Sequence, residues 1–368
     1  MRIETFQLER NQSLYENTVR YNLTESGIHP LTLGELLTEQ QQQEVLNLKL
    51  GYGQTNGAPA LRSTLASYYP GLNADNVIVT NGSAEANFVA FWCLLEPGDE
   101  VVMMLPNYLL LHGLARSLGC VIKPFHLREE LNWAPDLDQL ERQMSNKTKV
   151  IAVCNPNNPT GAVLSRDDMD CIVQLARKYG CYILSDEIYI GSELDGTETT
   201  SFLELYEKTI VASGLAKSLA LPGLRIGWLA GPQVVIDKAW HHHDYTSIST
   251  GLISQYVANV VMQRTKRAEI LDRGRRQLRT NLPIIQRWVD DHSDHFRLIA
   301  PKAGGMAFVG YNLDVNSTEL VTRLRNKQSV FVVAGDWFGI DYFLRFGIGG
   351  ETQQLVEGMA LVDEFFRQ

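Results

Sequence analysis

Lys217 lies in SGLAKSLALPGLRIGW (residues 213–228), among small and apolar neighbours and eight residues before Arg225. An amine in such surroundings, near a guanidinium, is expected to have a lowered pKa and to add readily to a carbonyl carbon. Arg225 itself offers a planar fork suited to a phosphate. SDEIY (residues 185–189) places Asp186 at the end of an apolar run. A carboxylate buried there is costly unless it meets a cation, and a protonated heteroaromatic nitrogen would serve. CNPNNPTG (residues 154–161) carries two Asn-Pro steps and a Thr-Gly, which fix a rigid extended turn and free the Asn158 amide to donate to a ligand oxygen. In NGSAEAN (residues 81–87), Ser83 and Ala84 open a helix whose first amides suit a phosphate. In PNY (residues 106–108), Tyr108 follows a strand and is placed to stack on a flat ring. A small-residue turn or a tyrosine is usually structural when it stands alone. Here the order of the whole set carries the information.

These residues need a scaffold, and the chain reads as one. From about Leu48 to Gly231, NVIVT, DEVVMML, VIKPF, KVIAVCN, CYILSDE and KTIVASG are continuous apolar runs of strand type. Unbroken rather than alternating hydrophobicity predicts strands covered on both faces, hence a mostly parallel sheet. EANFVAFWCLL, NYLLLHGLARSLG and SRDDMDCIVQLARKYG have helical spacing between them. In such α/β sheets ligands collect beyond the carboxyl ends of the strands, which is where the polar residues above fall. From about Gly251 a long Arg- and Lys-rich helix is predicted, followed by GGMAFVGYNL, SVFVVAG and YFLRFGI as strands of a smaller sheet. The predicted organisation is a large domain over residues 48–260. Residues 1–47 and 261–368 then form a smaller α+β domain with an N-terminal segment over the substrate. EQQQQ (residues 39–43) reads as an exposed helix face.

A net charge of -9 argues against nucleic acid or an anionic membrane as the main partner. No apolar run reaches the length of a membrane span, and the first residues lack the pattern of a signal peptide. The five cysteines, odd in number and in apolar settings, read as reduced thiols, so the protein is expected to be cytoplasmic. His241, His242 and His243 point in different directions on a helix, so a solvated face is expected and no metal site.

The quoted motifs resemble the class I/II aminotransferases of the fold-type I pyridoxal-5'-phosphate (PLP) enzymes over essentially the whole chain. The resemblance makes Lys217 the Schiff-base lysine and proton shuttle, with Asp186 pairing with the pyridine nitrogen. It puts Asn158 and Tyr189 on the phenolic oxygen and Tyr108 on the ring. Ser83, Ala84, Ser213 and Arg225 are implied to hold the phosphate, although Ala216 stands where many relatives have Ser beside the lysine. Tyr52, in GYGQTNGAPALR, matches a tyrosine that reaches the partner subunit's phosphate, implying a homodimer with a shared site. Arg345, in FLRFGI, matches the arginine that grips the substrate carboxylate.

The reaction depends on the substrate side. LTESGIHPLTLGEL (residues 23–36) stands where ordinary aminotransferases carry a short Gly-Pro type loop, and it brings Thr24, Glu25, Ser26, Gly27 and His29. Glu4, Glu9 and Glu16 lie upstream. The segment is similar to that of capreomycidine synthase and enduracididine-forming cyclases, which act on hydroxylated arginine. That resemblance implies a dehydrating cyclase, a lyase. Glu9 is then expected on the guanidinium, and His29 is expected to act as the acid for the departing hydroxyl. The other reading has these polar residues cap and solvate a loop, leaving an amino-acid/2-keto-acid aminotransferase. A PLP-binding regulatory module would need a DNA-binding domain, for which there is no room before Leu48.

Overall fold

The structure, a computed structural model, describes residues 3–367. Its main sheet has eight strands. In spatial order they are Val77–Thr80, Gly227–Ala230, Thr209–Gly214, Tyr182–Asp186, Thr148–Cys154, Glu100–Leu105, Val121–Arg128 and Ala134–Pro135. The strands from Thr209–Gly214 to Val121–Arg128 run parallel. Gly227–Ala230 is antiparallel to both neighbours, and Ala134–Pro135 closes the far edge antiparallel. Every residue of Val77–Thr80 and of Thr209–Gly214 is buried, because helices cover both faces. This is the α/β architecture that the apolar runs predict.

The covering helices begin and end by ordinary local chemistry. Arg166–Tyr179 starts at a capping box between Ser165 and Asp168 and stops at Gly180, whose φ of 68° is left-handed. Ser83–Leu94 differs. Its N-cap is Gly82, so the first turn lacks a side-chain cap. The expected exposed helix Glu39–Leu46 has no buried residue. The long basic helix is two helices, Leu252–Val261 and Arg264–Asp291, because Gln263 takes an extended conformation between them.

The smaller sheet is antiparallel, in the order Phe296–Leu298, Met306–Tyr311, Phe343–Gly347, Val333–Ala334. The N-terminal segment is tied to it. Tyr21–Asn22 pairs in parallel with Val330–Phe331, and Gly347 donates its amide to the Leu23 carbonyl at 2.7 Å. A Cβ on Gly347 would meet the Glu25 carbonyl at 2.3 Å, so the segment can lie this close only against glycine. Among the described residues no helix is long and apolar enough to cross a membrane.

Candidate active site

The carboxyl ends of the parallel strands, the N-terminus of Ser83–Leu94 and the N-terminal segment enclose a cavity of about 320 Å³. Lys217, Asp186, Tyr189, Asn158, Tyr108, Ser83, Ala84, Arg225 and Arg345 line it, so residues up to 262 apart in sequence meet in one place. Glu9 and Ser26 line it as well.

One end is a cup for an anion. Gly82 has φ of 87°, and Arg225 follows a short 3-10 turn at φ 52°. The guanidinium is held by the carbonyls of Pro222, at 3.1 Å, and Asn81, at 3.4 Å. It stands beside the uncapped amides of Ser83 and Ala84, a setting that favours phosphate. Gly82→Ala is expected to weaken the protein by about 1–3 kcal/mol, because its Cβ would lie 2.3 Å from the Arg225 guanidinium in a left-handed backbone. Thermal unfolding and the cofactor concentration needed to saturate the visible absorbance check this.

The floor is Asp186, half-buried at the end of its strand. Asn87 donates to one carboxylate oxygen at 2.8 Å and the Ile188 amide to the other at 3.2 Å. Burial, only partly offset by these donors, pushes the carboxyl up to about 6. That is the behaviour of a carboxylate lacking its cation. Tyr189, raised to about 12 by burial, shares a 2.8 Å hydroxyl–hydroxyl hydrogen bond with Ser26.

Arg345 is 1% exposed. It donates to Asn158 Oδ1 at 2.8 Å and to the Thr24 carbonyl at 2.5 Å, and its plane packs on Phe338. Among the described residues its Nε has no partner. A buried guanidinium with an unused donor beside a cavity suits a substrate carboxylate.

Lys217 departs from expectation. Burial alone would depress its ammonium, but Glu25 Oε1 lies 2.6 Å from Nζ and, with Tyr189, turns the net direction upward. Lys217 in turn holds the Glu25 carboxyl at about 2. The neighbour that decides the charge on Lys217 is therefore Glu25, one of several polar residues in its segment, with nothing local to distinguish it.

Several predicted residues lie elsewhere. His29 points away, its Nε2 3.3 Å from Glu351 and its amide on the Gly349 carbonyl, so its ring is not in the cavity. Ser213 sits on the opposite pleat of its strand. Its hydroxyl donates to the Glu187 carbonyl at 3.4 Å on the wall of a separate cavity, and Gly214 is the residue next to Ser83. Thr24 is buried and contributes its carbonyl, while its hydroxyl is engaged by Asn22 and Gln12. Gly27 contributes an amide, 2.9 Å from Glu25 Oε1. Tyr52 is 88% exposed, outside its own cavity. Glu4 turns outward to Arg116. His243 is not on a solvated face, since it is fully buried against Glu85 at 3.3 Å.

Two lining residues had a readable signal. Asn87 is one turn beyond Ser83 on the same helix face, and Glu16, the C-cap of Gln7–Tyr15, continues the face on which Glu9 and Gln12 meet the cavity.

The profile of the family "Aminotransferase class I and II" matches residues 22–360. The chain belongs to that family. Capreomycidine synthase of Streptomyces vinaceus is 29% identical over 348 residues, 93% of this chain and 89% of that protein. An aspartate aminotransferase of Streptomyces avermitilis is 28% identical, over 86% of this chain and 82% of its own. Among solved structures, a PLP-dependent aminotransferase from Streptococcus suis superposes with a TM-score of 0.93 and 32% identity, covering 100% of this chain and 98% of that one. The PLP-dependent cyclase OrfR shares the fold, with a TM-score of 0.90 and 22% identity over 100% of this chain and 98% of its own.

The enzyme is PLP-dependent and has the fold-type I architecture. Its residues fit the cofactor. The uncapped helix with Arg225 suits the phosphate, the cation-less Asp186 suits the pyridine nitrogen, and Lys217 suits the aldehyde.

Proposed function

We propose that this enzyme is a lyase that turns a hydroxylated arginine into a cyclic guanidino amino acid of the capreomycidine or enduracididine type. The observation that carries the reading is the wall of the cavity facing Lys217 and Arg345. Glu9, Glu16 and Glu25 all line it, the first within the helix Gln7–Tyr15 and the second at its C-cap. An amino acid gripped at its carboxylate by Arg345 has to extend its side chain toward carboxylates, which attract a guanidinium and repel a second carboxylate. The aspartate side chain, the cargo in the name of several relatives, is poorly served there. The 29% identity to capreomycidine synthase across nearly the whole chain supports the same choice.

When bound, the cofactor supplies an electron sink for the bond broken at the α-carbon. The protein's own residues do the rest. Asp186 would keep a positive charge on the ring nitrogen, Tyr189 and Asn158 would hold the phenolic oxygen, and Tyr108 would stack on the ring. Lys217 Nζ removes the α-proton and later returns it. Glu9 accepts the Tyr108 hydroxyl at 2.6 Å through one oxygen, leaving the other for a guanidinium. We assign Tyr52 to the phosphate cup of a neighbouring subunit, which makes the active unit a homodimer.

The test is to incubate the enzyme with hydroxyarginine and follow products by mass spectrometry. Loss of one water without a keto-acid co-substrate is expected. A keto acid and no cyclic product would establish the aminotransferase instead, the reading favoured by the aspartate aminotransferase relatives. Glu9→Ala is expected to raise KM roughly 10- to 100-fold, as for a lost charged hydrogen bond, with the cofactor absorbance unchanged. A KM equal to that of the parent would remove Glu9 from the guanidinium.

A further inference from the structure

Three features single out Glu25. It is the group closest to the amine of Lys217, at 2.6 Å from Nζ. It stands on the substrate side of that amine, in the wall with Glu9 and Glu16. It is also held by its surroundings. The Gly27 amide binds the same carboxylate oxygen at 2.9 Å, and the preceding carbonyl is anchored by Arg345. The following residue is fixed by the Gly305 amide on its carbonyl, at 3.1 Å, and by the Tyr189 hydroxyl. A carboxylate positioned on both sides in this way is preorganised rather than incidental.

We propose that Glu25 is the second acid–base catalyst of the site, handling the protons at the substrate's hydroxyl and guanidine while Lys217 handles the one on the α-carbon. The inference rests on the dehydrating-cyclase reading. That reaction needs two proton movements that Lys217 alone does not serve. As the bond from carbon to the departing hydroxyl breaks, its electrons stay on oxygen, and a proton from Glu25 completes the water. As the guanidine nitrogen closes the ring, the new C–N bond takes the nitrogen's lone pair, and the proton it sheds passes through Glu25 to Nζ, which delivers it to the α-carbon. One water leaves, Glu25 ends as it began, and no oxidant or co-substrate enters.

The pairing with Lys217 makes Glu25 a relay for the proton rather than its holder. With the lysine charged, Glu25 is held as a carboxylate, its carboxyl at about 2. Once the α-proton has arrived on Nζ, the 2.6 Å contact is a path through Oε1 to the departing oxygen, with Glu25 a carboxylate before and after. Oε1 also accepts the Gly27 amide, so the carboxylate keeps its orientation when the lysine moves. His29, whose ring lies on Glu351, leaves this acid role vacant.

The test compares Glu25→Gln with the parent holoenzyme, using hydroxyarginine in deuterated water. Glu25→Gln should take up PLP to the same ratio per subunit, read from the visible absorbance. It should still exchange deuterium into the α-position of the substrate within about tenfold of the parent. Loss of water should fall ~10²-fold or more, the usual contribution of a positioned acid. Glu25→Asp, which keeps an acid one methylene shorter, should recover part of it. Water loss by Glu25→Gln within about threefold of the parent overturns the proposal. Parallel loss of exchange and water loss in both variants also overturns it, because Glu25 would then only position Lys217. A parent enzyme that makes a keto acid and releases no water overturns the cyclase reading and this proposal with it, a pattern visible without any variant.

Discussion

Lys217→Ala is expected to lower turnover by about 10⁴-fold or more and to abolish the absorbance of covalently held cofactor. Two functions disappear together. The substitution removes the only amine lining the cavity among the described residues, and with it the base that moves the α-proton. The fold should persist, since the Lys217–Glu25 pair is open to the cavity, with side chains 26% and 51% exposed. A pair that exposed contributes on the order of 1 kcal/mol at most. Spectra taken before and after gel filtration, with turnover measured alongside, check both effects. Residual turnover within tenfold of the parent would move the chemistry away from Lys217.

Asp186→Asn should have the second largest effect, lowering turnover by ~10²–10³-fold, as for the loss of one buried electrostatic partner. It also makes a sharper prediction for the cofactor-free protein. Burial raises Asp186 from an ordinary 3.8 to about 6. Between those values the folded protein binds more protons than the unfolded one, so stability falls as pH rises. The share from Asp186 is full below about pH 4 and lost by about pH 6, on the order of 3 kcal/mol in all. Glu187, raised by burial to about 7, adds a loss of the same sign that continues to higher pH. Urea unfolding of the cofactor-free protein at pH 4 and pH 7 should therefore show a gap that shrinks, but does not vanish, in Asp186→Asn. An unchanged gap would mean that Asp186 already has a cation.

The cofactor half of the site is legible in sequence for a physical reason. NGSAEAN, PNY, CNPNNPTG and SDEIY each end a buried strand, and parallel strands in one sheet deliver their ends to one edge. Pleat is harder to read. Ser213 and Gly214 alternate across the sheet, and a shift of one residue decides which faces Ser83. The substrate half depends on contacts between distant segments. Within Thr24, Glu25, Ser26 and His29, the two that line the cavity, Glu25 and Ser26, are chosen by where Arg345 and Gly347 grip the backbone. No local pattern in the segment encodes that choice. The charge on Lys217 follows the same logic, because its deciding neighbour is 192 positions away.

That grip also imposes an order on synthesis. The Thr24 carbonyl waits for Arg345, a partner 321 residues later. At about 5–20 residues per second the ribosome needs roughly 15–65 s to make that stretch. The phosphate cup, from Gly82 to Arg225, emerges well inside this interval, whereas the carboxylate wall lacks its Arg345 anchor until the end of it. A nascent polypeptide thus gains its means of holding a cofactor before its means of choosing a substrate. Truncation ahead of Arg345 would leave the first and lose the second.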